Sequence, residues 1–142
     1  MVTPRQKKLV QDSFAAVVPR ADEVTAMFYG RLFELDPTLR PLFKTDMAPQ
    51  RQKLAQMLTA AVKGLDRPEQ LIPVVRELGR RHATYGVVEA HYDTVGAALV
   101  WTLEQQFGSA FTPEVKDAWT DVYSLLATTM KEAARAEALA MA

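Results

Sequence analysis

The chain has 142 residues, 49% hydrophobic and 24% charged, a balance that suits one soluble globular domain. Seventeen basic residues match seventeen acidic ones, so no polyanion-binding surface is expected and nucleic acid is excluded as a partner. The absence of cysteine removes disulfides, thiolate metal ligands and thiol nucleophiles together. No apolar leader follows the first charges, and no apolar run approaches the roughly 20 residues that cross a bilayer. A cytoplasmic protein without a membrane partner is expected.

The pattern is helical almost throughout, which predicts an all-α fold of about seven helices. Thr3-Pro4 opens the first helix as cap and first-turn proline, and Leu9, Phe14, Val17 and Val18 form its stripe up to Pro19. A second helix is expected over residues 21–35, with Val24, Phe28 and Leu32 in one row and Tyr29 and Phe33 beside them. Asp36-Pro37 starts a short third helix that reaches Leu42-Phe43. Residues 44–49 read as a loop. The next helix, over 50–62, places Leu54, Met57, Leu58 and Ala61 on one face.

After a break at 64–68, a helix over 69–83 carries Leu71, Val75, Leu78 and His82 at spacings of four, three and four. Gly86 supplies its left-handed terminus. A corner over 85–90 leads into an apolar helix over 91–107. Thr112-Pro113 opens the last helix, which carries Val115, Trp119, Val122, Leu125, Leu126 and Met130. From Ala134 the alanine-rich tail offers little to pack and is expected to fray. No alternating segment predicts a strand, and no linker or repeat divides the chain into a second domain.

His82 is one of two histidines, and it points where leucines and valines point. It reads either as a core histidine with a hydrogen-bond partner or as a ligand aimed into an apolar pocket. Two histidines nine residues apart make a poor bare-metal site, which needs three or four protein ligands. One histidine suffices if a porphyrin supplies the other nitrogens. Tyr29, Gln50 and Phe43 are candidate pocket residues, each with a plain reading as core or first-turn surface. His91, at a helix start, reads as a partly exposed structural residue. No serine or cysteine partners the histidines as in a triad, and no phosphate-cradling glycine loop is present.

Taken in order, several segments resemble the globins. They are Phe28-Tyr29-Gly30-Arg31-Leu32-Phe33, then Pro37, then Arg40-Pro41-Leu42-Phe43. Leu78-Gly79-Arg80-Arg81-His82 follows with Tyr85-Gly86-Val87, then His91-Tyr92-Asp93-Thr94-Val95-Gly96. Phe111-Thr112-Pro113 and Ala118-Trp119-Thr120-Asp121-Val122-Tyr123 complete the set. The chain is similar to single-domain bacterial haemoglobins and to the haem domain of flavohaemoglobins, with a neuroglobin-like flavour in its second half.

That resemblance implies a three-over-three globin fold around haem b. It makes His82 the proximal iron ligand, Tyr29 the distal hydroxyl donor, Gln50 the distal amide and Leu54 the wall above the iron. Gln52 and Lys53 compete with Gln50 for the distal place. Phe43 packs on the porphyrin, and Arg81 is a partner for a propionate. Leu78, Tyr85, Val87, Tyr92 and Val95 complete the implied haem contacts. Flavohaemoglobins back the proximal histidine with a tyrosine and a glutamate. Tyr92 matches the tyrosine, but the glutamate position falls at Ala134, and Glu132 lies about 200° round the helix from it. Strong peroxidase-like push is therefore not expected.

Two distal donors at about 1–1.5 kcal/mol each imply slow O₂ release and high affinity, with CO and NO as further ligands. Reversible oxygen binding, transport or scavenging is the implied function. Nitric oxide dioxygenase activity with a separate reductase is the alternative, because no reductase domain is expected in this chain. A cofactor-free helical interaction module is the third reading, and monomer and homodimer both remain open.

Overall fold

The computed structural model describes residues 2–141. It holds six α-helices: α1 (Pro4–Val17), α2 (Ala21–Leu35), α3 (Ala48–Gly64), α4 (Pro68–Thr84), α5 (Glu89–Phe107) and α6 (Pro113–Met141). Short 3₁₀ segments cover Val18–Arg20, Pro37–Leu42 and Gly108–Ala110, and no strand occurs among the described residues. The all-α expectation holds.

Helix starts follow the local chemistry. The Thr3 hydroxyl accepts from the Gln6 amide at 3.1 Å while the Gln6 side chain accepts from the Thr3 amide, a reciprocal cap over Pro4. Pro19 has no N–H to continue the α1 ladder, so the chain tightens into a 3₁₀ turn. That turn rotates Val18 off the stripe, and it is 48% exposed rather than packed with Val17. The expected third helix is the 3₁₀ segment Pro37–Leu42, capped by the Asp36 carboxylate on the Thr38 amide at 3.1 Å. Helix α3 begins two residues before its expected start. The Asp46 carboxylate accepts from the Ala48 amide at 3.1 Å, and Pro49 sits in the first turn, where an N–H has no partner anyway. Helix α5 also begins two residues early. His91 Nδ1 accepts from the Val88 amide at 3.1 Å and so closes the helix start.

Helix α6 includes the alanine-rich tail as far as Met141. Ala133 is buried, the Arg135 guanidinium donates to Glu89 at 3.0 Å, and Arg80 reaches Glu137 at 3.8 Å. These contacts add tertiary anchors to alanine's own preference for helix.

Helices α2, α5 and α6 form one layer, and α1, α3 and α4 the other. The broadest contacts are α4 on α6 and α2 on α5. The core between the layers includes Val10, Phe28, Leu32, Leu71, Val75, Leu99, Leu103, Trp119 and Val122. The Trp119 indole N–H donates to the Ser13 hydroxyl at 2.9 Å and ties α6 to α1. Helix α4 lies on α6 at Gly79, where an added Cβ would stand 2.6 Å from the Met130 Cα. The nearest atoms there, the Met130 O, Cα and C, are all backbone, so none can step aside. Replacing Gly79 by Ala is expected to cost about 1–3 kcal/mol of folding free energy in a denaturant titration. An unchanged midpoint would show that the helices separate freely.

Candidate functional site

His82 stands on the inner stripe of α4, where Leu71 and Val75 are buried and Leu78 and His82 are half-buried. Its Nδ1 lies 2.8 Å from the Leu78 carbonyl oxygen, one turn back. A carbonyl can only accept, so Nδ1 carries the proton and Nε2 keeps its lone pair. Burial pushes the imidazole pKa below its usual 6.5. The Leu78 carbonyl works against that shift, and the Arg81 charge adds to it. The ring is therefore neutral at pH 7, with one nitrogen occupied and the other available. The α4 terminus holds this arrangement: Gly86 takes φ +90° and the Val87 amide donates to the His82 carbonyl at 3.2 Å.

Tyr29 and Gln50 meet across α2 and α3. The Gln50 amide donates to the Tyr29 hydroxyl oxygen at 3.0 Å, which leaves the Tyr29 proton free to point elsewhere. Burial raises the Tyr29 pKa, and the Gln50 hydrogen bond offsets part of that, so the hydroxyl keeps its proton. Around it, Phe28 stands edge-on at 5.0 Å, Phe33 stacks at 6.1 Å and Phe43 stands edge-on at 5.6 Å. Gln52 and Lys53 are exposed, so of the three candidates on that turn the structure brings only Gln50 to Tyr29.

Phe43, Leu54, Leu78, Val87 and Val95 pack against the core but are only half-covered. They come from α3, α4, α5 and the segments on either side. Tyr92 is buried, and its carbonyl accepts from the Tyr123 hydroxyl at 2.7 Å. Tyr85 is 61% exposed, with its ring 6.1 Å from that of His82. Arg81 is exposed and makes no ion pair among the described residues. Ala134 is half-buried and Glu132 exposed, as expected from their helical phase. No group of three His, Cys, Asp or Glu side chains able to hold a metal ion occurs among the described residues.

A family model described as Globin matches residues 26–130. The chain belongs to the globin family. This globin is 32% identical over 130 residues to a flavohemoprotein of Bordetella parapertussis, a match covering 89% of this chain and 32% of the relative. A flavohemoprotein of Bacillus subtilis is 28% identical over 130 residues, covering 89% of this chain and 33% of the relative. One of Deinococcus radiodurans is 31% identical over 133 residues, covering 92% and 33%. The globin therefore spans about a third of the length of these curated relatives.

Two residues of the site were not singled out from the sequence for any role there. Phe33 was placed only in a helical row, yet it stacks on Tyr29. Arg40 lies over the Phe33 ring at 5.4 Å and donates to three backbone carbonyls. Neither has a sequence signal apart from the segment that contains it.

The buried neutral imidazole makes stability depend on pH. The unfolded chain protonates His82 near 6.5, while the folded chain resists until lower pH, so below 6.5 the unfolded state binds more protons. Stability should fall as pH drops through 6.5 and level off above it. Folding free energy measured across pH 5–8 should lose part of that slope in His82→Gln, and an identical slope would assign it to other groups.

Proposed function

We propose that this globin binds haem and holds a diatomic gas, O₂ foremost, with CO and NO as further ligands. One observation carries the reading. His82 is a lone, neutral, half-buried imidazole with Nδ1 committed to Leu78 and its Nε2 lone pair available, beside apolar side chains that the protein covers only in part. A bare ion would need ligands that the described residues do not assemble, whereas a porphyrin brings four nitrogens of its own. The donor set therefore fits haem: one imidazole with a free lone pair and apolar side chains that are only half-covered.

Haem, when bound, would supply an iron that His82 would hold and that would take a small ligand. The residues would divide the remaining work. Leu54, Leu78, Val87 and Val95 exclude water. Phe43 offers a flat apolar face. Tyr92 backs the proximal side, and Arg81 and Tyr85 stand at the rim, where a propionate would meet solvent. Tyr29 would offer its neutral O–H to the ligand, and its low-polarity surroundings would strengthen that hydrogen bond. Gln50 holds the Tyr29 oxygen and so leaves that proton for the ligand. Such donors favour a ligand that gathers negative charge, which O₂ does more than CO.

The similarity to flavohemoproteins supports a second reading, conversion of nitric oxide and O₂ to nitrate with one electron per turnover from a separate reductase. Nitrate formed over many turnovers with NO, O₂ and an added reductase would favour it, and a single turnover per site would favour storage or scavenging.

Titrating the purified chain with hemin should give a one-to-one Soret band that His82→Ala shifts or abolishes. A chain that stays colourless would end the proposal. In the loaded protein, Tyr29→Phe should speed O₂ release about 5- to 12-fold, as expected for one lost hydrogen bond of about 1–1.5 kcal/mol. Stopped-flow release at the wild-type rate would take Tyr29 out of the mechanism.

A further inference from the structure

The segment between the 3₁₀ helix and α3 has no regular backbone ladder, yet three of its successive carbonyls share one partner. Arg40 Nη1 donates to the Phe43 oxygen at 3.3 Å and to the Lys44 oxygen at 3.0 Å, and Nη2 donates to the Thr45 oxygen at 3.0 Å. The guanidinium carbon also lies 5.4 Å from the Phe33 ring centre. No carboxylate among the described residues comes within ion-pair distance of Arg40. Its charge is directed to backbone dipoles and an aromatic face.

We propose that Arg40 is a positioning residue: it holds residues 43–45 by their carbonyls and thereby fixes the Phe43 ring against Tyr29. The chain of contacts is continuous. Arg40 covers Phe33, Phe33 stands edge-on to Phe43 at 5.5 Å, and both rings touch Tyr29, which accepts from Gln50. Phe43 enters and Gln50 leaves the short stretch that runs from the 3₁₀ helix into the first turn of α3. Freedom in that stretch becomes freedom of both groups around the Tyr29 hydroxyl. Lysine cannot substitute. Its ammonium is a compact point charge, whereas the planar fork presents parallel N–H groups to neighbouring carbonyls and stacks on Phe33.

The consequence for ligand binding rests on the haem reading, but the positioning itself does not. Trypsin must attack the Lys44 carbonyl to cut after Lys44, and that is one of the carbonyls Arg40 holds. In the hemin-free chain, Arg40→Lys is expected to raise cleavage at Lys44 at least 10-fold relative to other sites. It should also weaken the nuclear Overhauser contacts between the Phe43 and Tyr29 rings while helical circular dichroism is kept. Arg40→Met, which keeps the apolar stem without the fork, should do the same and serves where the lysine variant folds poorly. Wild-type cleavage in both variants would overturn the proposal, as would faster cleavage with ring contacts unchanged. In the loaded protein, the CO stretching band should split or shift in Arg40→Lys towards that of Tyr29→Phe, and an unmoved band would confine Arg40 to holding the loop. A chain that takes up no hemin would sink the haem reading, while cleavage and ring contacts would still decide the role of Arg40.

Discussion

The close approach of α4 to α6 at Gly79 governs the site. The bare Cα there lets α4 lie directly on the Met130 backbone, and no other residue could occupy the position without moving one helix. Gly79 lies three residues before His82, so the seating of α4 on α6 also fixes the orientation of the helix face that carries His82. Leu71 and Val75 extend the same stripe into the core. Burial of those side chains provides the driving force, and backbone contact provides the register.

The surroundings of His82 and those of Tyr29 are built from different kinds of contact. On the α4 side the decisive hydrogen bond is local: His82 is oriented by a carbonyl of its own helix, so its tautomer is settled as soon as α4 forms. Around Tyr29 nothing is local. Tyr29 comes from α2, Gln50 from α3 and Phe43 from between them, and they meet only after the 3₁₀ helix has turned the chain back. The α4 side is therefore as rigid as a helix, and the other side is as rigid as the segment that joins α2 to α3. That contrast is why an arginine clamp on the segment bears on the site.

Electrostatics are alike on both sides. Burial lowers the His82 pKa and raises that of Tyr29, so each group is uncharged at neutral pH. One offers a lone pair and the other an O–H, and neither brings a buried charge that would need its own partner. Arg81 and Lys44 are exposed and lie outside the crevice. Such an interior suits small uncharged ligands that polarise on binding, and it repels ions.

Much of this was legible in the sequence because it rests on short-range rules. Caps and prolines located the helix starts at Pro4, Pro37 and Pro113. Apolar periodicity placed Leu71, Val75, Leu78 and His82 on one face, and Gly86 marked the turn that ends α4. Helix ends that depend on distant partners were not legible in this way. The tail after Ala134 has alanine's own preference for helix, but Glu89 and Arg80 also reach it from α5 and α4, and no reading of the tail alone contains those contacts. Val18 left its stripe because a neighbouring proline tightened the turn. The hydrogen bond of Gln50 to Tyr29, with Gln52 and Lys53 left exposed, and the hold of Arg40 on three carbonyls arise only where α2, α3 and the segment between them pack together. A sequence fixes periodicity because neighbours along a helix repeat every 3.6 residues; which side chains meet across helices depends on crossing angle and loop path, which only the folded chain specifies.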